Sequence, residues 1–363
     1  MLFRRLLPTL VIGISLVSSS WANSEETAIN VAITNVIEDA VRPGFSNLSE
    51  SATTLAVNLE TLCANPGEEP LQVAQSKFGE LVERWGHVEM IRLGPLASEN
   101  RLERMLFWPD RRGRGLNQVR NVIRTNDVSA QDPISLARKS VAVQGLLALE
   151  FTLFGSGFEA LKSNEGSDRC AYASAISVNI ANIAAEAQGL WTDDGPMSIS
   201  SLWQSPSETN PLFRDGREQL AALFKIVGEG LEIIGVQRLD PFLRDDFEKA
   251  KPKSALFWRS GNTVRSLAAN IDGLEAIMGA AGLEAVISKG DNRVLNSLFF
   301  EFKNAKASLS AIDKSPDQIA QIEADYSKLN YARIVVSSMN QILTEQLSPI
   351  FNLSSGFSSL DGD

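Results

Sequence analysis

Histidine occurs once in this chain of 363 residues, cysteine twice and tyrosine three times. Two Cys and one His cannot build a zinc site of the usual Cys/His type, and the metallopeptidase motif His-Glu-x-x-His is absent. Sustained period-2 alternation is missing, as are Asn-Gly or Asp-Gly turns between such runs, so a sheet-dominated fold is excluded. Beyond the N-terminus no stretch is apolar enough to cross a bilayer, which takes roughly 20 apolar residues. Basic excess is missing too: 34 Lys and Arg face 44 Asp and Glu, a net charge of −10. That balance argues against nucleic acid or an anionic membrane as the main partner.

The N-terminus has the form of a cleavable export signal over residues 1–22. Arg4 and Arg5 precede an apolar run from Leu6 to Val17, and Ser20-Trp21-Ala22 fits the small-x-small cleavage pattern. An uncleaved N-terminal anchor is the alternative, disfavoured by the shortness of the run. Without these residues, which carry two Arg and no acid, the net charge becomes −12. The expectation is a soluble periplasmic protein with no transmembrane span in its mature chain. An even cysteine count in an exported chain predicts a Cys63–Cys170 disulfide, the other outcome being two buried thiols.

Helical periodicity dominates the remainder. Segments Leu71–Arg84, Ser135–Phe154, Ala171–Leu190, Arg217–Ile234, Asn262–Met278, Val294–Ile312 and Pro316–Leu347 all read as helices, and Gly/Pro breakers fall between most of them. The length is large for one core. Leu55–Leu62 aligns without gaps onto Leu267–Leu274, with four of eight positions identical. The reading is therefore all-α: two helical bundles, 23–200 and 205–363, related by internal duplication and joined through the Ser-rich stretch Ser198–Asn210. Asn58 and Asn270, at matching positions of the repeat, are predicted either to bond across a bundle or to face solvent.

Three constellations carry chemistry. Glu89-x-x-Arg92 puts an acid and a base on one helix face ahead of the Gly94-Pro95 stop. Phe107-Trp108-Pro109-Asp110 opens an arginine-rich stretch comprising Arg101, Arg104, Arg111, Arg112, Arg114, Arg120 and Arg124. This stretch is read either as an anion-binding mouth near Trp108 and Asp110 or as a solvated loop with internal ion pairs. Gln144-Gly145 leads to Glu150, which sits in an otherwise apolar helix and needs a partner, a metal or a proton. A buried pair with Arg92 or Arg259 is expected ahead of a metal. His87 is predicted to pair with Glu83, one turn away.

Taken together, Val41-x-Pro43, Leu62-Cys63, Glu89-x-x-Arg92-x-Gly94-Pro95, Phe107-Trp108-Pro109-Asp110, Gln144-Gly145 to Glu150, Arg169-Cys170-Ala171-Tyr172 and Phe257-Trp258-Arg259-Ser260-Gly261 resemble the imelysin family. The resemblance implies two duplicated helical bundles, an envelope location and a link to iron. Some members are described as metallopeptidases. The family signature Gly-x-His-x-x-Glu reads here Gly145-Leu146-Leu147-Ala148-Leu149-Glu150, with Leu147 at the His position. A Leu donates no electron pair, so of the implied metal ligands only Glu150 remains. The functional expectation is a non-enzymatic binding or accessory protein of envelope iron uptake, with iron as its possible ligand. A metallopeptidase with a diverged site and a module docking on an envelope transport protein are the alternatives. The expected binding residues are Glu89, Arg92, Trp108, Asp110, Glu150, Arg259 and Ser260.

Overall fold

The computed structural model describes residues 17–353, with side chains from Glu26 onward. Most of the expected export signal therefore lies outside the described residues. Within them the chain is all-α, with no strand.

Ten helices carry the architecture: α1 (Val17–Asn35), α2 (Arg42–Ala64), α3 (Glu68–Val88), α4 (Arg114–Thr125), α5 (Leu146–Phe154), α6 (Ser167–Thr192), α7 (Gly216–Glu232), α8 (Thr263–Ala281), α9 (Asn292–Ser310) and α10 (Glu323–Gln341). α2 lies between α3 and α6, α9 packs on α10, and α8 bridges the two halves by lying against α3. Apolar side chains at three- and four-residue spacing, such as Leu48, Leu55, Leu59 and Leu62 in α2, all face inward. The resulting apolar core runs continuously from Ile29 to Leu353.

The contact between α3 and α8 depends on missing side chains. A Cβ at Gly86 would meet the Ala269 methyl, and one at Gly273 would collide with the His87 carbonyl. The Asn270 amide, three residues before Gly273, donates to the Gly86 carbonyl at 2.8 Å. Asn270 is thus a buried crossing residue, whereas Asn58 bonds only within its own helix, to the Thr54 carbonyl.

Three helices pass through a π turn and then into a proline. Val36–Val41 precedes Pro43, Ile233–Leu239 precedes Pro241, and Ile342–Leu347 precedes Pro349. In each, the residue before the proline donates to the carbonyl five residues back: Arg42 to Ile37, Asp240 to Gly235 and Ser348 to Leu343. A proline inside an α-helix removes one hydrogen bond and clashes with the carbonyl four residues earlier. The π turn widens the ladder there and lets the helix continue.

Two segments depart from the sequence reading. Ser135–Phe154 is not one helix: short turns at Pro133–Leu136 and Val141–Val143 precede α5. The break is set by Gly145, where a Cβ would lie 2.5 Å from the Arg104 carbonyl oxygen. Ser198–Asn210 is not a free linker. It forms the helix Ile199–Gln204, and Trp203 is fully buried between Trp191 and Phe213, its ring 6.4 Å from each. The Cys63–Cys170 disulfide is present and ties the end of α2 to the start of α6.

Candidate functional site

α5 places Glu150 in the interior, with no exposed surface. The helix is anchored at both ends. Upstream, Gln144 donates to the Lys139 carbonyl at 2.9 Å and accepts from Arg104 and Asn179, each at 3.2 Å. Downstream, Arg169 spreads its guanidinium over the carbonyls at and just beyond the helix end, donating to Phe151 at 2.7 Å, Thr152 at 2.8 Å and Ser156 at 2.9 Å. The Phe151 carbonyl also accepts from the Gly155 amide, and the guanidinium adds donors where a helix C-terminus runs short of them. Burial holds the Arg169 pKa down, to about 10.

The Glu150 carboxylate meets the second half of the chain. Its Oε1 accepts from the Ser260 amide at 3.0 Å and from the Ser260 hydroxyl at 2.9 Å. Its Oε2 accepts no hydrogen bond and lies 3.8 Å from Arg259 Nη1. Burial raises the Glu150 pKa above the ordinary glutamate range, against the opposing pull of Ser260 and Arg259. Burial likewise lowers the Arg259 pKa, and the Arg120 charge adds to that depression. Of the two arginines expected as partners for Glu150, Arg259 fills the role and Arg92 does not.

Glu150, Leu147, Phe107, Trp108, Trp258 and Arg259 line one cavity of about 160 Å³. The Arg259 guanidinium sits 4.5 Å from the Trp258 ring centroid and 5.6 Å from that of Phe151. Lys253 lies over the other aromatic wall, 5.6 Å from Trp258, and Arg120 approaches Phe151 at 5.6 Å. Among the described residues neither Lys253 nor Arg120 forms an ion pair. The mouth is therefore cationic and aromatic, in a chain that is acidic overall.

Asp110 also lines this cavity, but both of its oxygens are committed. They accept from the backbone amides of Arg114 at 2.9 Å and Leu116 at 3.0 Å, capping α4. Glu89 and Arg92 line a second cavity, and Trp108 is shared between the two. In this second cavity Glu89 pairs with Arg238, which in turn bonds Asn270. His87 donates to the Glu83 backbone carbonyl at 2.9 Å rather than to its carboxylate. Of the arginine-rich stretch, Arg101 pairs with Glu99 and Glu186, while Arg104 bonds side-chain amides.

The donors around Glu150 do not fit a metal centre. Leu147 has none to offer, Asp110 is spent on capping, and Arg259 and Lys253 bring positive charge to the same space. Among the described residues no group of three or more His, Cys, Asp and Glu side chains is placed to hold a metal ion.

Trp258 belongs to the Phe257–Gly261 motif read from the sequence, whereas Arg238 and Lys253 fall in none of the motifs. Arg238 carries the one usable signal, a lone base inside the apolar run from Ile233 to Leu243.

The imelysin family model matches residues 41–347. The chain belongs to the imelysin family. Its fold is shared by an imelysin-like protein of Psychrobacter arcticus, with a TM-score of 0.75 at 19% identity over 96% of this chain and 100% of that one. An iron-regulated protein A precursor of Parabacteroides distasonis gives a TM-score of 0.69 at 13% identity, over 88% of this chain and 94% of that one. The sequence finds no match among curated proteins. This imelysin-family chain departs from the Gly-x-His-x-x-Glu signature where Leu147 turns into the Glu150 cavity.

Proposed function

We propose that the protein acts in the periplasm as a non-enzymatic binding or accessory protein of iron uptake, with the Glu150–Arg259 cavity as its ligand site. One observation carries the reading. A fully buried carboxylate oxygen with no hydrogen-bond donor belongs to a residue lining a cavity that Arg259 and Lys253 also line. An acceptor surrounded by cations suits an anionic chelate of iron that also carries a hydroxyl or amine donor. It does not suit the bare ion, which would meet repulsion from two cations and find one ligand.

The iron link is supported by the iron-regulated neighbour, and export by the N-terminal pattern. Domains 23–200 and 205–363, related by duplication, are supported by the Leu55/Leu267 repeat. In each half an early helix also passes through a π turn into proline. No helix of the described residues is long and apolar enough to cross a membrane.

Calorimetric titration of the purified protein with ferric citrate, ferrous salt and haem tests the reading. Saturable heat with ferric citrate, lost in Glu150→Ala, is expected. No saturable heat with any of the three sinks it. Cleavage of a protein substrate that a chelator abolishes and Glu150→Ala removes would instead favour a metallopeptidase.

A further inference from the structure

The second cavity, of about 130 Å³, has an excess of donors. Arg92 Nε, Trp108 Nε1 and Arg238 Nε are all buried and all without an acceptor, and their three residues line this one space. Gln237 also lines the cavity, but its side-chain oxygen accepts from none of the three. Glu89 already receives Arg238 and lies 3.5 Å from the Asn270 amide. Glu229 is drawn to Lys225, 3.7 Å away. Glu103 lines the cavity but is exposed and makes no ion pair. Among the described residues Arg92 makes no side-chain hydrogen bond or ion pair.

A buried donor left unmatched costs about 1–3 kcal/mol, and more when it is charged. Three in one cavity, two of them on guanidinium groups, call for an acceptor with several oxygens. Arg92 faces Glu89, Glu103 and Glu229 as acids and Arg238 as a base. We propose that this cavity is a binding site for a small oxyanion of the phosphate or carboxylate type. It is distinct from the Glu150 cavity and stands whether or not that cavity binds iron chelates. The anion would accept from Arg92, Arg238 and the Trp108 indole, and the volume leaves room for only a few heavy atoms. Glu103, at the rim, works against it. Trp108 forms the wall between the two cavities, so its ring senses the anion from one side.

The test is titration of the purified protein at constant ionic strength with inorganic phosphate, acetate and chloride, read by thermal shift and Trp fluorescence. Saturable stabilisation by phosphate or acetate, with chloride weaker, is expected. Arg92→Met should weaken binding at least tenfold, because a charge-assisted contact is lost. Arg92 bonds no other side chain, so this variant loses no native hydrogen bond. Trp108→Phe keeps the ring and removes the donor, and should weaken binding about fivefold. Glu103→Gln should strengthen it about threefold, since a competing charge is removed at a partly screened position. No saturable shift in the wild type, or affinities in Arg92→Met and Glu103→Gln within twofold of wild type, would overturn the proposal and leave ordered water as the occupant.

Discussion

Ser260 gives both of its donors, the amide at 3.0 Å and the hydroxyl at 2.9 Å, to one oxygen of Glu150. The other oxygen is left to face Arg259 at 3.8 Å without a hydrogen bond. Residues 110 positions apart are thereby joined at one carboxylate, alongside the Glu89–Arg238 pair and the Asn270–Gly86 bond.

Glu150 makes stability depend on pH. Its folded pKa is raised by burial, so between the unfolded and folded values the native state binds more protons than the unfolded one. Stability from this group is therefore greatest at low pH and falls as pH rises from about 4.3 through the folded value. Glu150→Gln removes this slope. The variant should match the wild type near pH 4 and exceed it by about 1–2 kcal/mol at pH 8. Urea unfolding across that range checks it, and a constant difference would refute the assignment.

Leu147→His restores the family signature on a face that already lines the Glu150 cavity. The imidazole and Glu150 are three residues apart on one helix. Zinc affinity by calorimetry should rise at least tenfold over wild type, and further when Arg259→Gln also removes the neighbouring cation. An unchanged affinity in the double variant would mean that the cavity cannot bring the two donors together.

Arg169→Met should destabilise the fold by about 3 kcal/mol, because the Thr152 and Ser156 carbonyls lose their side-chain donor in a buried setting and Phe151 keeps only the Gly155 amide. The loss should also loosen α5, detectable as faster amide exchange from Leu149 to Phe154. Normal stability would show that water replaces the guanidinium freely.

Reduction of Cys63–Cys170 releases a loop of 107 residues. The chain-entropy treatment assigns a loop of that size about 4–5 kcal/mol. Cys63→Ser with Cys170→Ser should lower the urea midpoint accordingly, with most of the effect arising in the unfolded state.

What the sequence disclosed followed from locality. α2, α3 and α6 are amphipathic or apolar over several turns, so their periodicity alone marks them. The disulfide was legible because only two cysteines exist. Glu150 stood out because an acid amid Leu and Phe has no local way to be solvated. The break before α5 was not legible, since it depends on how closely the Arg104 and Met105 carbonyls approach Gly145, a contact forty residues away. Which of the two matching asparagines crosses between helices was not legible either: Asn270 looks like Asn58 in sequence, yet only Asn270 meets a partner on another helix. The Ser-rich composition of Ser198–Asn210 suggested a linker, but Trp203 pins it to the core.

The glycine contact between α3 and α8 bears on how much change the Glu150 site tolerates. Where backbones touch with no intervening side chains, as at Gly86 and Gly273, there is no side chain to repack. A methyl group added at either position has to be met by movement of a helix, and α8 begins three residues after Ser260. The geometry around the Glu150 carboxylate is thus tied to two positions that never touch it.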